Sequence, residues 1–185
     1  RDLIKAGVPV YAFNTRSVED ILGMIETLGR LIGAEERALA LVAGLEAQIT
    51  QTRAIAAERN ARRGKRPRVY FEEWDEPMIS SIRWASELID IAGGEDIFAA
   101  RSHSPLARER MPTSDEVIAA APDIIIGSWC GKHFRPERVA ARPGWAAIPA
   151  VNAGKMHEIK SAIILTPGPV AITEGLPQLL EIFDL

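Results

Sequence analysis

The sequence predicts an α/β fold: a parallel-sheet, Rossmann-like C-terminal lobe, joined by one long helix to the remnant of a second α/β lobe. Three observations predict it. Short apolar runs alternate with helix-period segments after residue 67, the pattern of strands linked by crossover helices. Ile124-Ile125-Ile126 is wholly apolar, as in a central strand covered on both faces. The segment from about Glu35 to about Arg62 keeps helical spacing for nearly 30 residues, roughly 40 Å at 1.5 Å per residue.

Arg1 to Gly7 reads as the last turn of a helix closed by glycine. Val8 to Phe13 is a short apolar run of strand type ending at Asn14. Ser17 and Asp20 have the spacing of a capping box. Behind them Ile21, Met24, Ile25, Leu28, Leu31 and Ile32 mark one buried helix face that ends at Gly33. The long helix follows, with Leu41, Val42, Leu45, Ile49, Thr52, Ile55 and Ala56 stepping by three and four. Gly44 and Thr50 interrupt the seam a coiled coil needs, so a strut between two lobes is the favoured reading. Arg53, Arg59, Arg62, Arg63, Lys65, Arg66 and Arg68 gather at its end, where cations complement the helix dipole and keep a surface wet. Gly64 and Pro67 stop it.

Beyond it the chain reads as strand 69–71, helix 84–92 closed by Gly93-Gly94, helix 113–121 capped by Thr113, strand 124–126, helix 136–141, strand 155–159 and a last helix from Gly168-Pro169. That helix turns Ile172, Leu176, Leu179, Leu180 and Phe183 inward. The boundaries are therefore 1–33 for the end of a truncated N-terminal lobe, 34–66 for the connecting helix, and 67–185 for the C-terminal lobe. With no start methionine and no signal segment, the chain reads as a fragment whose beginning lies upstream.

The totals exclude several classes. A formal net charge of −3 argues against nucleic acid as a partner. One cysteine, Cys130, rules out an internal disulfide framework. No apolar run approaches the 20 or so residues that span a bilayer. No glycine-rich nucleotide loop is present.

Ligands of open parallel sheets bind beyond the carboxyl ends of the strands, which singles out three loops: 72–78, 127–133 and 160–164. The first two carry Trp74 and Trp129. An indole on a wet loop wastes apolar area unless a flat ligand, a partner protein or the loop itself covers it. Cys130 and His133 form a C-x-x-H pair, two ligands where a firm metal site needs three or four. A nucleophilic reading of Cys130 lacks its third member. Glu72, Glu73, Asp75 and Glu76 crowd one turn without an opposing carboxylate for hydrolysis.

The segments VYFEEWDEPMISSIRWASELIDIAGGEDIF (69–98), PTSDEVIAAAPDIIIGSWCGK and GVPVYAFNTRSVEDILGMIETLGRLIG resemble, in that family's order, the solute-binding proteins of vitamin B12, haem and siderophore importers. The cobalamin-binding members look most alike. The resemblance spans nearly the whole chain. It implies two α/β lobes on a rigid helix and small lobe movement. It also implies a metal chelate (a corrinoid, haem or ferric siderophore) clamped between the lobes and handed to an ABC permease in the membrane. No cofactor, resident metal or catalysis is implied. The location would be periplasmic or otherwise extracytoplasmic, lipid-anchored in a Gram-positive cell.

On that reading the ligand-binding residues are Glu73, Trp74, Trp84, Trp129, Cys130, Ser161 and Ile163, with Asn14 and Arg16 from the N-lobe side. Asp115, or its neighbour Glu116, would meet permease arginines. Two features depart from cobalamin binders. Ala107-Arg108-Glu109-Arg110 stands where they carry a tryptophan, and Ala162 and Thr166 stand where they carry Asp and Arg. The competing readings are a metal-assisted hydrolase built on Cys130, His133 and the nearby acids, and a protein-interaction module built on Trp74 and Trp129.

Overall fold

The computed structural model describes residues 2–184. Arg1, the first residue of the predicted opening turn, lies outside them. The chain opens with α1 (Asp2–Lys5), and Gly7 closes it with φ 74°, in the left-handed region. A capping box then starts α2 (Val18–Leu31): Ser17 Oγ accepts from Asp20 N–H, and the Asp20 carboxylate accepts from the Ser17 N–H. Arg16 N–H adds to it, so burial of Asp20 is outweighed and its carboxyl sits below the usual range.

Two expectations for this region fail. Val8 to Phe13 forms no strand, and Val8, Val10 and Tyr11 are exposed. A strand needs a neighbour to take its backbone hydrogen bonds, and every strand of the sheet lies beyond residue 67. Residues 2–33 are helix and coil. On α2 only Ile21 and Ile25 of the six apolar positions are buried; Leu28, Leu31 and Ile32 face outward.

The long helix is α3 (Glu35–Arg63), 29 residues ended by Gly64 in the left-handed conformation. It buries Ala38, Val42, Leu45, Thr52 and Ala56. After it come β1 (Arg68–Asp75), β2 (Met78–Ser80), α4 (Arg83–Ile91), β3 (Glu95–Asp96), α5 (Ala99–Ser102), a 3-10 turn at Ala107–Arg110, and α6 (Ser114–Ala120). Next are β4 (Ile124–Gly127), α7 (Pro136–Ala140), a 3-10 turn at Trp145–Ala147, α8 (Pro149–Asn152), β5 (Met156–Glu158), α9 (Ser161–Ile164), α10 (Pro169–Thr173) and α11 (Gly175–Ile182). The last helix of the sequence reading is therefore two. Pro177 has no N–H to return to Thr173 O, and the helix breaks at Glu174.

The sheet order is β2-β1-β4-β5. Parallel β3 shares with the β2 hairpin arm the edge of β1 opposite β4. The strand predicted at 69–71 runs on to Asp75 and turns back, so residues 72–75 are strand rather than loop. Alternation splits the core into two layers. Val69, Phe71, Ile124 and Ile126 pack against α2, α3, α4 and the C-terminal helices, while Tyr70 and Ile125 pack with Trp129, Trp145 and Ile148 on the other face.

α3 is more than a spacer. Gln48 Nε2 donates to Ile172 O and Thr173 O at the end of α10 (3.1 and 3.3 Å), and Arg59 Nη1 to Leu180 O in α11 (2.7 Å). Arg63 donates to Phe183 O, Asn60 Nδ2 to Gly93 O (2.9 Å), and Arg66, just past the helix, to Gly94 O and Asp90. The carbonyls that helices leave unsatisfied at their C-termini are thus met by one rod. Several of the cations read as merely wet are structural. Asn60→Ala is expected to lower stability by about 1 kcal/mol, measured by urea unfolding, with no change in helix content.

Candidate ligand-binding site

The direction of chain travel reverses about β1: β3 lies on one side, and the next strand, β4, on the other. The candidate crevice at such a switch point lies beyond the carboxyl ends, here where the β1–β2 hairpin meets the loop after β4 through the Lys132–Asp75 pair. Gly127 ends β4. A Cβ there would come within 1.8 Å of the Phe134 ring, so only glycine lets the 128–134 loop fold back over the strand end. Phe134 meets Trp129 edge-on at 5.1 Å.

Beneath the crevice Glu72 is fully buried and fully partnered. Both its oxygens accept from Arg142 (2.6 and 2.9 Å), one from Tyr70 Oη (3.0 Å) and one from Trp129 Nε1 (3.0 Å). Burial and the Glu72 charge hold the Tyr70 phenol well above its usual range, so it remains a donor. Arg142 lies over the Trp145 ring at 4.5 Å. Trp145 Nε1 donates to Ser114 Oγ (2.6 Å) at the start of α6.

A β-bulge between Glu72 and Trp74 takes Glu73 out of the pleat. Bulges re-aim side chains in this way. Glu73 pairs with Arg110 at 2.7 Å, and Arg110 is only 3% exposed. Trp74 is half-buried, its indole N–H bonded to Glu76 O (2.8 Å). The Lys132 ammonium lies 3.9 Å from its ring centroid and 5.3 Å from that of Trp129, and pairs with Asp75. Burial pushes Asp75 up, but the Lys132 and backbone hydrogen bonds outweigh it and hold the carboxyl low. Cys130 is exposed, and partial burial of its thiol together with the Glu73 charge pushes it up. A groove of about 240 Å³ continues from here, lined by Trp129, Lys132, His133, Glu158, Lys160 and Ser161.

The crevice thus gathers Glu73, Trp74 and Cys130, with Ser161 in the adjoining groove. Trp84 is elsewhere: it is buried in the core with its N–H on Ile164 O (2.9 Å), because the first turn of α4 faces the sheet. Trp129 is only 2% exposed, tied down by Glu72, so it is a floor rather than a free wall. Ile163 packs against the core. Asn14 lies in a separate shallow groove with Thr15 and Glu19. Arg16 bonds Asn14 Oδ1 (3.1 Å) and Pro105 O (3.1 Å), in the loop that leads to Arg110. A hollow of about 640 Å³ lies between α2, α3, α4 and α5, with both residues of β3, Glu95 and Asp96, in its lining.

Lys132, Lys160, Arg110 and Arg142 were missed. Tyr70 and Glu72, two apart in a strand, share a face, and that spacing is the one sequence signal that Glu72 needs a partner. Nothing local pointed to Arg142, 70 residues on. Of the two α6 acids, Glu116 is spent: hydrogen bonds from Arg101 and from Thr113 in a capping box bring its pKa to about 2. Asp115 is exposed. The hydrolase parts disperse, with Glu72 occupied by Arg142 and His133 Nδ1 3.6 Å from Glu158. Among the described residues no three His, Cys, Asp or Glu side chains converge on a metal position.

A family model described as periplasmic binding protein matches residues 1–163. The chain belongs to the periplasmic binding protein family. The fold of that family accounts for the α/β sheet and its crossover helices. No curated protein sequence matches the chain.

Solved structures of the family superpose along nearly all of it. A possible iron-binding periplasmic solute-binding protein of Staphylococcus epidermidis gives a TM-score of 0.81 at 20% identity, covering 98% of this chain and 68% of that one. The periplasmic heme-binding protein RhuT of Roseiflexus gives 0.77 at 22%, covering 99% and 70%. The vitamin B12 binding protein BtuF of Vibrio cholerae gives 0.71 at 19%, covering 99% and 68%. At these identities the likeness is one of fold.

Gly127→Ala is expected to destabilise by about 1–3 kcal/mol through overpacking and to raise the exposure of Trp129, read as a red shift in tryptophan emission.

Proposed function

We propose that the chain is the substrate-binding component of an ABC importer, capturing a metal chelate outside the cytoplasm and delivering it to a membrane permease. On this reading it has no chemistry of its own. The observation that carries the reading is the half-buried Trp74, locked by its own N–H at the switch point and set beneath Lys132. A fixed indole with a few polar groups beside it suits a bulky ring or chelate. Family membership supports the receptor role, and relatives described as heme-, iron- and B12-binding support a chelate as cargo. No helix among the described residues is long and apolar enough to cross a membrane.

The domain division is proposed with it: residues 1–33 as part of an N-terminal lobe, α3 as the connector, and residues 67–185 as the lobe bearing this wall. Asn14 and Arg16 are proposed contacts from the opposite side. The tie from Arg16 to the 103–106 loop and the α3 network favour a stiff frame over a wide hinge. Asp115, exposed at the N-terminus of α6, is the proposed contact for a cationic patch of the permease. Glu116, committed to Arg101 and Thr113, supports that helix from below.

A tryptophan-quenching titration against cobalamin, haemin and a ferric siderophore is expected to show micromolar or tighter binding of one of them. Absence of quenching by all three refutes the assignment. Asp115→Ala is expected to leave that affinity intact and weaken docking to permease in proteoliposomes. Glu116→Ala should chiefly fray α6, read by amide exchange.

A further inference from the structure

The Trp74 wall is covered. The Lys132 ammonium rests on the indole face at 3.9 Å, steadied by Asp75 and by the second indole, Trp129. A ring that stacks on Trp74 must move that ammonium, forfeiting a cation–π contact. A neutral ring offers nothing in return. A ring carrying a carboxylate supplies the displaced ammonium with a new charge-assisted partner.

The neighbouring groove is furnished for the same chemistry. Lys160 and the Ser161 hydroxyl line it with His133. Its one acid, Glu158, is turned to the Phe134 N–H (3.2 Å) and to His133. Glu73 is withdrawn into its pair with Arg110. Donors for an anionic group therefore line the groove that Lys132 shares, with Asp75 the competing carboxylate.

We propose that Lys132 is a specificity-determining residue, a displaceable cover on Trp74 that selects flat chelates bearing carboxylates over neutral ones. This rests on the receptor reading above. Ligand stacks on Trp74, Lys132 swings from the indole face to the ligand carboxylate, and Lys160 lies within the same groove to share it.

The probes are haemin, whose two propionates are free, and haemin dimethyl ester, the same ring without carboxylates. Both are titrated by tryptophan quenching and by protection of the Cys130 thiol from alkylation, which places the ring at this crevice. The wild-type chain is expected to bind haemin about tenfold more tightly than the ester, the worth of one charge-assisted hydrogen bond. Lys132→Gln should abolish that preference, weakening haemin and strengthening the ester, and Lys132→Arg should retain it. Equal affinity of the two rings for wild type, or a preference that survives in Lys132→Gln, overturns the proposal while leaving the receptor reading in place. Failure of haemin, cobalamin and siderophore alike to bind overturns both.

Discussion

The molecule depends on a single helix that finishes the hydrogen bonding of three others. α3 sends Gln48, Arg59, Asn60 and Arg63 sideways into the carbonyls that α10, α11 and the exit of α4 leave open. Arg66 continues the series at Gly94. Buried carbonyls without partners cost as much as a lost hydrogen bond, so the C-terminal helices cannot shift along the rod without that penalty. Val42, Leu45 and Ala56 are buried on that same face of the helix, and Val42 and Leu45 join Ile172 and Leu179 in one core cluster. Rod and sheet are one piece.

A second constraint sits under the crevice. Glu72 is a charge with no access to water, tolerable only because Arg142, Tyr70 and Trp129 satisfy it completely. Its position fixes the loop after β4, since the Trp129 indole must reach it. Arg142 in turn touches Trp145, which holds Ser114 at the head of α6. The helix bearing Asp115 and the loop bearing Trp129 are thus linked through Glu72, Arg142 and Trp145. Neither can be displaced alone without leaving a buried group unpaired.

The crevice itself is a balance of ion pairs rather than a patch of one sign. Glu73 answers Arg110 and Asp75 answers Lys132, while Glu158 accepts from the Phe134 N–H beside His133. Such pairing keeps a cleft wet and soluble when empty. It also means that charge becomes available to a ligand only by exchange of partners. The flat, apolar component comes from Trp74, whose face lies against the Lys132 ammonium.

Local patterns determined much of this from the sequence alone. Period and capping residues defined α2, α3 and α6, because Ser17, Thr113 and Gly64 act within one turn of where they sit. The apolar triplet at 124–126 defined the central strand, since burial on both faces leaves no polar alternative. The strand-end rule singled out the segments carrying Trp74 and Cys130, which meet through Lys132 beyond β1 and β4. What required the tertiary structure was everything that depends on who stands opposite. Val8 to Phe13 has strand composition but no neighbour to pair with. The Glu72–Arg142 and Glu73–Arg110 bonds join residues 70 and 37 positions apart. Trp84, Trp129 and Trp74 are the same residue type, and only packing distinguishes core, floor and wall. Composition records how much apolar and charged surface a chain carries; contact decides which of it is left to meet a ligand.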